Sequence, residues 1–197
     1  ADEKKEKKTD DKNVWRTEIF QALPLAAGDI VLASHGEFPA NVYPWRQLAA
    51  RGVTLELVPV GPDGWPDEQR LLERKADPRF KVLALSLVQF HTGYLADVNR
   101  LSAAVRAAGA WLVVDAIQGL GQLPFDVQTT PVDILACGAQ KWLLSPWGSG
   151  FVYVRRGLIE QLEPPMVGWT AFADTDDFST LLGRKATLDG IEHGTLR

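Results

Sequence analysis

The sequence contains a single cysteine, Cys137, so no disulfide can form within its 197 residues. It does not begin with a basic stretch followed by an apolar one, as a secretory signal would, and no apolar run approaches the roughly 20 residues that span a bilayer. Positive charge is not in excess either, because 21 Lys and Arg face 25 Asp and Glu and leave a net charge of -4. We therefore expect a cytoplasmic protein, with neither nucleic acid nor a membrane as its partner.

Motifs for nucleotides and metals are also missing. There is no G-x-x-x-x-G-K-S/T sequence and no G-x-G-x-x-G turn after the first predicted strand, which argues against a nucleotide-binding domain. The histidines His35, His91 and His193 are spread along the chain without metal-ligand spacing, so we predict no metal site and a structural role for each. His91 keeps a second interpretation, contact with a substrate, because it follows a predicted strand on the ligand side of the sheet.

The residues that are present indicate an ordinary globular domain with one sizeable core. Hydrophobic residues make up 46% of the chain and charged residues 23%, which argues against disorder over the whole length. Residues 1–13 are the exception, since they are almost all charged or polar and form no apolar face. We expect this segment to be disordered or engineered, and residues 14–197 to form a single domain.

Apolar runs alternate with helical patterns along that domain. Strands are predicted for DIVLAS, VTLELVPV, KVLALSLV, AWLVVD and VDILACG, and helices for Trp15 to Leu23 and for the segments YPWRQLAARG, PDGWPDEQRLLERKADP and ADVNRLSAAVRAAGA. Continuously apolar strands separated by helices are typical of an α/β fold with a mostly parallel sheet. The segment GSGFVYV follows the preceding strand too closely for a helical crossover, so we expect it to pair antiparallel.

Two charged residues lie where predicted strands end. Asp115 closes AWLVVD, and Lys141 follows VDILACG. Ligands of parallel sheets bind outside these carboxyl ends, although a capping aspartate and a solvated lysine are alternative interpretations. Because apolar residues follow Lys141, we expect its stem to be partly buried. Partial burial would lower the pKa of the amine and suit it to act as a nucleophile or base and to form a Schiff base.

Four segments together resemble the class V aminotransferase family of pyridoxal-phosphate enzymes, which includes cysteine desulfurases, selenocysteine lyases and kynureninases. The segments are HGEFPANVYPW, VVDAIQGLGQLPFDV, DILACGAQKWLLSPWGSGFVYV and the closing GIEHGTLR. The specific part of the pattern is D-x-x-Q, followed by K-W and then by P-x-G-x-G. The resemblance implies the large domain of a fold type I enzyme, a three-layer sandwich around a mostly parallel sheet.

The resemblance also implies roles for individual residues. Lys141 would form the Schiff base with the cofactor and then move the α-proton of the substrate, while Asp115 would pair with the pyridinium nitrogen and keep it protonated. Gln118 would hydrogen-bond the phenolic oxygen of the ring. Phe38 would stack on the ring, although packing in the core is an equally good interpretation of this side chain.

The contacts to the cofactor phosphate match the family less closely. Gln140 and Gly138 stand where relatives often have histidine and serine, and the amide of Gln140 can still donate a hydrogen bond. Gly194 and Thr195 match a pair that reaches the phosphate of the neighbouring subunit in family dimers, which implies a homodimer with a composite active site. Phe90 stands where several relatives have asparagine near the ring oxygen, so that contact stays open.

The resemblance leads to two functional hypotheses. The first is a pyridoxal-phosphate enzyme that acts on a small amino acid, with lyase chemistry of the desulfurase or kynureninase type preferred over transamination. Family members begin with a phosphate-binding loop that this chain does not match, and they continue past HGTLR into a C-terminal domain, so we expect the large domain alone. The second hypothesis is therefore a truncated, non-catalytic scaffold or dimerisation module that keeps the fold.

Overall fold

The centre of the fold is a six-stranded sheet, seen in a computed structural model that describes residues 19–163. In chain order the strands are β1 (Ile30–Ser34), β2 (Thr54–Val58), β3 (Phe80–Ser86), β4 (Trp111–Asp115), β5 (Ile134–Gly138) and β6 (Gly150–Val154). They lie side by side in the order β2-β1-β3-β4-β5-β6. Neighbouring strands from β1 to β5 pair in parallel, whereas β6 pairs antiparallel with β5. The predicted sheet is confirmed, including the antiparallel strand after Lys141.

Short helices connect these strands. They are α1 (Tyr43–Gln47), α2 (Glu68–Glu73), α3 (Val98–Ala107) and α4 (Arg156–Ile159), with 3-10 turns at Pro39–Asn41, Leu48–Arg51 and Arg74–Ala76. The carboxylate of Asp97 caps α3 by accepting a hydrogen bond from the Arg100 amide at 3.0 Å. Most of the helix predicted from Trp15 lies outside the described residues. Within residues 19–163, no helix has the length and apolar character that crossing a membrane requires.

Two hydrophobic cores cover the two faces of the sheet. Because successive strand residues point to opposite faces, Ile30 belongs to one core and Val31 to the other. Leu101 of α3 packs into the first core, and Trp45 of α1 and Leu158 of α4 pack into the second. Helices therefore cover both faces, which confirms the three-layer α/β architecture.

Two elements differ from the expectation. β2 is mostly half-exposed, because it forms the edge of the sheet, while β1, β4 and β5 are almost wholly buried. The helix predicted from Tyr43 is shorter than its sequence pattern, since it tightens into a 3-10 turn after Gln47. That turn ends at Gly52, whose φ of 80° is favourable for glycine.

A buried carboxylate next to β5 connects β4 with the residue that follows the edge strand β6. Asp133, which immediately precedes β5, is 3% exposed. One of its carboxylate oxygens accepts a hydrogen bond from the Leu112 amide at 2.8 Å, and the other accepts one from Arg155 Nε at 2.7 Å. The backbone of Asp133 also bonds Leu112 and Arg155. This residue therefore fixes β5 between its two neighbours.

We expect Asp133→Asn to lower the free energy of unfolding by about 1–3 kcal/mol, because asparagine has one acceptor oxygen where Asp133 uses two, and it has no charge to pair with Arg155. Urea unfolding measures the change. Asp126→Asn is the matched control: this exposed aspartate accepts a hydrogen bond from the Gln128 amide, which asparagine can also accept. The control should change stability by less than about 0.5 kcal/mol. Equal effects of the two substitutions would contradict the role of Asp133.

Candidate functional site

The order of the strands predicts a crevice for a ligand between β1 and β3. From β1 the chain moves outward to β2, and from β3 it continues in the opposite direction to β4. In open parallel sheets, such a switch point leaves room for a ligand outside the carboxyl ends of the strands. The loops that follow β1, β3, β4 and β5 all start at this edge, and these loops together with the last residues of β4 and β5 contain every described residue predicted for the site.

Asp115 ends β4 and is only 2% exposed. It lies opposite Ser86 in the pairing of β3 with β4, and its Oδ1 accepts a hydrogen bond from the Ile117 amide at 3.1 Å. Gln118 follows in a turn that is closed by a hydrogen bond from the Gly119 amide to the Ala116 carbonyl at 3.0 Å. The sequence therefore positions a buried carboxylate and a partly buried amide on one strand end.

Lys141 lies in the turn between β5 and β6. The turn is closed by hydrogen bonds from the Ser145 amide to the Ala139 carbonyl and from the Ala139 amide to the Ser149 carbonyl, both 3.0 Å. Lys141 itself is exposed, so the expected partial burial of its stem is wrong for the single chain. The physical reason is that the apolar residues after Lys141 are exposed too and leave its stem accessible to water.

The turn that carries Lys141 packs directly against the loop after β4. Gly121 has a φ of 96°, and a Cβ atom built on it would lie 2.7 Å from the carbonyl oxygen of Trp142. Both the backbone conformation and the close approach therefore require glycine. Through this contact the fold brings the loop with Asp115 and Gln118 together with the turn containing Lys141.

Gly138 leaves space that the Gln140 side chain uses. A Cβ atom at Gly138 would lie 2.6 Å from Gln140 Oε1 and 2.9 Å from Ile117 Cδ1. The amide of Gln140 therefore lies in the space that a side chain at position 138 would occupy. Gln140 is partly buried, with polar atoms next to the end of β4.

Aromatic side chains lie in the two loops that border the predicted crevice, those after β1 and β3. Phe38, after β1, is 42% exposed, so simple packing in the core does not describe it. Its ring contacts Phe90, after β3, edge to face, with 5.2 Å between the centroids and an interplanar angle of 75°. The Phe90 ring in turn contacts His91 at 5.0 Å. The structure thus connects Phe38 with His91 through the ring of Phe90.

Glu37 is a polar residue at the crevice that sequence reasoning missed. It is 7% exposed and accepts four hydrogen bonds: from the Ser86 amide and Gln89 Nε2 to Oε1, and from Ser86 Oγ and Asn41 Nδ2 to Oε2. Burial raises the pKa of the Glu37 carboxyl above its ordinary 4.5, the hydrogen bonds oppose this, and the charge of Asp115 adds to it. The only available signal was an acidic residue inside an otherwise apolar and small-residue segment.

Some predicted residues lie outside the described part of the chain. Gly194, Thr195 and His193 belong to this group, and so does the segment of residues 1–13. Among residues 19–163, no cluster of three or more His, Cys, Asp and Glu side chains could hold a metal ion.

Known proteins with similar sequences are enzymes of related kinds. The chain is 37% identical over 150 residues to a probable cysteine desulfurase 2 of Mycobacterium leprae, a match that covers 76% of this chain and 35% of the relative. It is 32% identical over 173 residues to isopenicillin N epimerase of Amycolatopsis lactamdurans, covering 86% of this chain and 44% of that protein. The chain thus spans less than half the length of these relatives.

Solved structures share the fold. The cysteine desulfurase CsdA of Escherichia coli superposes with a TM-score of 0.75 at 27% identity, and the match covers 90% of this chain and 43% of CsdA. A variant of C-DES, with glycine covalently linked to its PLP cofactor, has a TM-score of 0.77 and covers 93% of this chain and 49% of that one. At 23% identity the second likeness concerns the fold alone.

A family model covers almost the whole chain. The model for aminotransferase class-V matches residues 13–196, which include the four segments that carry the resemblance except for the final Arg197. The mostly parallel sheet with one antiparallel strand agrees with this match and with the solved structures that share the fold. The chain therefore belongs to the class V aminotransferase family.

Proposed function

We propose that this chain forms the cofactor-binding part of a pyridoxal-phosphate enzyme acting on a small amino acid. The observation that carries the proposal is the packing of Gly121 against Trp142, which unites the loop of Asp115 and Gln118 with the turn of Lys141. Lyase chemistry of the desulfurase or kynureninase type is preferred over transamination, since cysteine desulfurases are frequent among the similar proteins.

The residues at the crevice fit this cofactor. A buried carboxylate such as Asp115 suits a protonated pyridine nitrogen, because an opposite charge stabilises it in a low-dielectric surrounding. The space that Gly138 leaves is filled by an amide, Gln140, which can donate to a phosphate oxygen. The exposed face of Phe38 offers an aromatic surface for offset stacking. These are the polar and aromatic partners that a phosphorylated pyridine requires.

Each side chain then has a distinct task. Pyridoxal phosphate, when bound, supplies an electron sink that stabilises negative charge on the substrate. Asp115 would hold a proton at the ring nitrogen, and Gln118 would donate to the phenolic oxygen. Lys141 would provide the amine for covalent attachment, and it would afterwards take and return the substrate's α-proton. Gly194 and Thr195 stay predicted phosphate ligands, and His91 stays a predicted substrate contact.

The turn that carries Lys141 also supports the proposed homodimer. Its side chains Trp142, Leu143, Leu144 and Trp147 are large, apolar and exposed, by 40% to 88%. Leu144 is the most exposed of them and has a φ of 53°, a left-handed conformation that is unfavourable for a leucine. A partner subunit that covers this turn would remove the apolar side chains from water and would also desolvate Lys141.

The cytoplasmic location of the protein stays a prediction.

We expect Lys141→Ala to abolish the visible absorption band that pyridoxal phosphate develops when it is added to the protein, because no other described amine is placed at the carboxyl end of β5. Absorbance spectroscopy of the dialysed protein measures the bound fraction. Lys75→Ala, an exposed lysine in the 3-10 turn after α2, is the matched control and should leave the band unchanged. A band that survives Lys141→Ala would refute the proposed role. A wild-type protein that binds no cofactor would instead support the scaffold hypothesis.

We expect Leu144→Asp to weaken self-association at least about tenfold, since a charge would be buried in an apolar contact. Sedimentation equilibrium at several protein concentrations measures the dissociation constant. Leu95→Asp is the control, because Leu95 is 53% exposed but belongs to the loop after β3 and not to this turn. If the two variants dissociate to the same extent, or if neither does, this turn is not the dimer contact.

A further inference from the structure

Glu37 connects three separate segments, and the proposed function assigns it no task. Its carboxyl accepts hydrogen bonds from Ser86 at the end of β3 (2.9 Å from the amide and 2.6 Å from Oγ). It also accepts one from Gln89 in the next loop at 2.6 Å and one from Asn41 at the end of a 3-10 turn at 3.0 Å. Glu37 itself belongs to the loop after β1. The carboxyl therefore joins β1 to β3 at the switch point of the sheet.

One end of this network is adjacent to Asp115. Ser86 is the register partner of Asp115 in the β3–β4 pairing, and the Leu87 amide donates to the Asp115 carbonyl at 2.8 Å. The charge of Asp115 acts on the Glu37 carboxyl. A shift of Glu37 relative to β3 would therefore be transmitted to the strand end that carries the proposed cofactor carboxylate.

The other end of the network holds Phe38. Phe38 immediately follows Glu37, and its carbonyl accepts a hydrogen bond from the Asn41 amide at 2.8 Å. Since the Asn41 side chain donates to Glu37, the segment from Glu37 to Asn41 forms a closed loop with the Phe38 ring on it. The edge-to-face contact with Phe90 adds a second support from the loop after β3.

The side-chain amides of Asn41 and Gln89 donate to Glu37, but their own oxygens stay without a hydrogen bond. Asn41 Oδ1 and Gln89 Oε1 are buried and have no hydrogen-bond partner. A buried acceptor without a partner is destabilising, so each amide makes its bond to Glu37 at the expense of its own oxygen. The carboxyl of Glu37 is thus the group around which these side chains are arranged.

We propose that Glu37 is a positioning residue, which fixes the Phe38 ring relative to Asp115 and thereby determines how the cofactor ring stacks in the crevice. This inference rests on the proposed function, because it assigns the stacking surface to the same cofactor. Glu37 acts through Phe38 and through the end of β3, and it needs no contact with the cofactor. The reacting groups remain those of Lys141 and Asp115.

The test compares Glu37→Ala and Glu37→Gln with the control Glu68→Gln. Glu68 is equally buried, at 7%, and accepts hydrogen bonds from Tyr94 Oη and the Asp97 amide instead of from the loop of Phe38. We expect Glu37→Ala to weaken the affinity for pyridoxal phosphate roughly tenfold and Glu37→Gln to weaken it less, because glutamine keeps one acceptor oxygen. The control should bind the cofactor like the wild type.

Two further measurements separate positioning from a general loss of stability. Circular dichroism in the visible band should decrease per bound cofactor in Glu37→Ala, because the ring would lose its fixed orientation. In a double-mutant cycle with Phe38→Ala, the double variant should lose less binding free energy than the sum of the losses in the two single variants, since Glu37 acts through Phe38. Additive losses, or an unchanged circular dichroism signal, would overturn the inference. If Glu37→Ala does not fold, Ser86→Ala removes one donor and provides the same comparison.

Hydrogen exchange of the cofactor-free protein distinguishes this inference from the proposed function. The amides of Ser86 and Asn41 should exchange faster in Glu37→Ala than in the wild type, and in Glu68→Gln they should not. Unchanged exchange would show that Glu37 does not hold the loop and would reject the inference even if the wild type binds the cofactor. A wild type that binds no pyridoxal phosphate would reject the proposed function, and with it the positioning role, whatever the exchange shows.

The pH dependence of stability gives a further expected outcome. Because burial raises the pKa of Glu37 above 4.5, the stability that this residue contributes is fully present below pH 4.5 and is lost as the pH rises through the raised value. Wild type should therefore lose stability relative to Glu37→Gln as the pH increases from 4.5 upwards. Urea unfolding at a series of pH values measures the difference in stability between the two proteins. A difference that does not change with pH would contradict the raised pKa of Glu37.

Discussion

Parallel pairing of β1, β3, β4 and β5 is the constraint on which the site depends. Parallel strands end at the same edge of the sheet, so residues far apart in sequence, from Glu37 to Lys141, are brought to one crevice. Both faces of these strands are covered by helices and hydrophobic cores, which prevents the strands from shifting in register. The chemistry of the site is thus built on the most deeply buried part of the fold.

Glycine then brings the loops closer together than side chains would permit. Gly121 allows the backbone of Trp142 to approach the loop after β4, and Gly138 leaves a space that Gln140 fills. In the second case, the missing side chain at position 138 places the polar amide of Gln140 next to the end of β5. Rigid strands determine the position of Asp115, and close backbone contact determines that of the turn with Lys141.

The sequence predicts the sheet well, because continuous apolar runs and the spacing between them follow directly from burial on both faces. It also predicts that Asp115 and Lys141 lie at the carboxyl ends of strands, because the apolar runs show where the strands end. The buried acid Glu37 could not be predicted, since its partners Ser86 and Gln89 are about fifty residues away and no local pattern indicates long-range hydrogen bonds. The exposure of Lys141 depends on tertiary packing over its turn, which sequence neighbours such as Trp142 do not determine.

We propose above all that the amine of Lys141 attaches covalently to pyridoxal phosphate. Borohydride reduction of the protein with the cofactor, followed by peptide mass mapping, tests it most directly, because reduction makes the linkage permanent and identifies the modified residue. We expect the peptide that contains Lys141 to carry the added mass of a phosphopyridoxyl group. The same mass on a different lysine, or no stable modification of a protein that retains the cofactor, would contradict it.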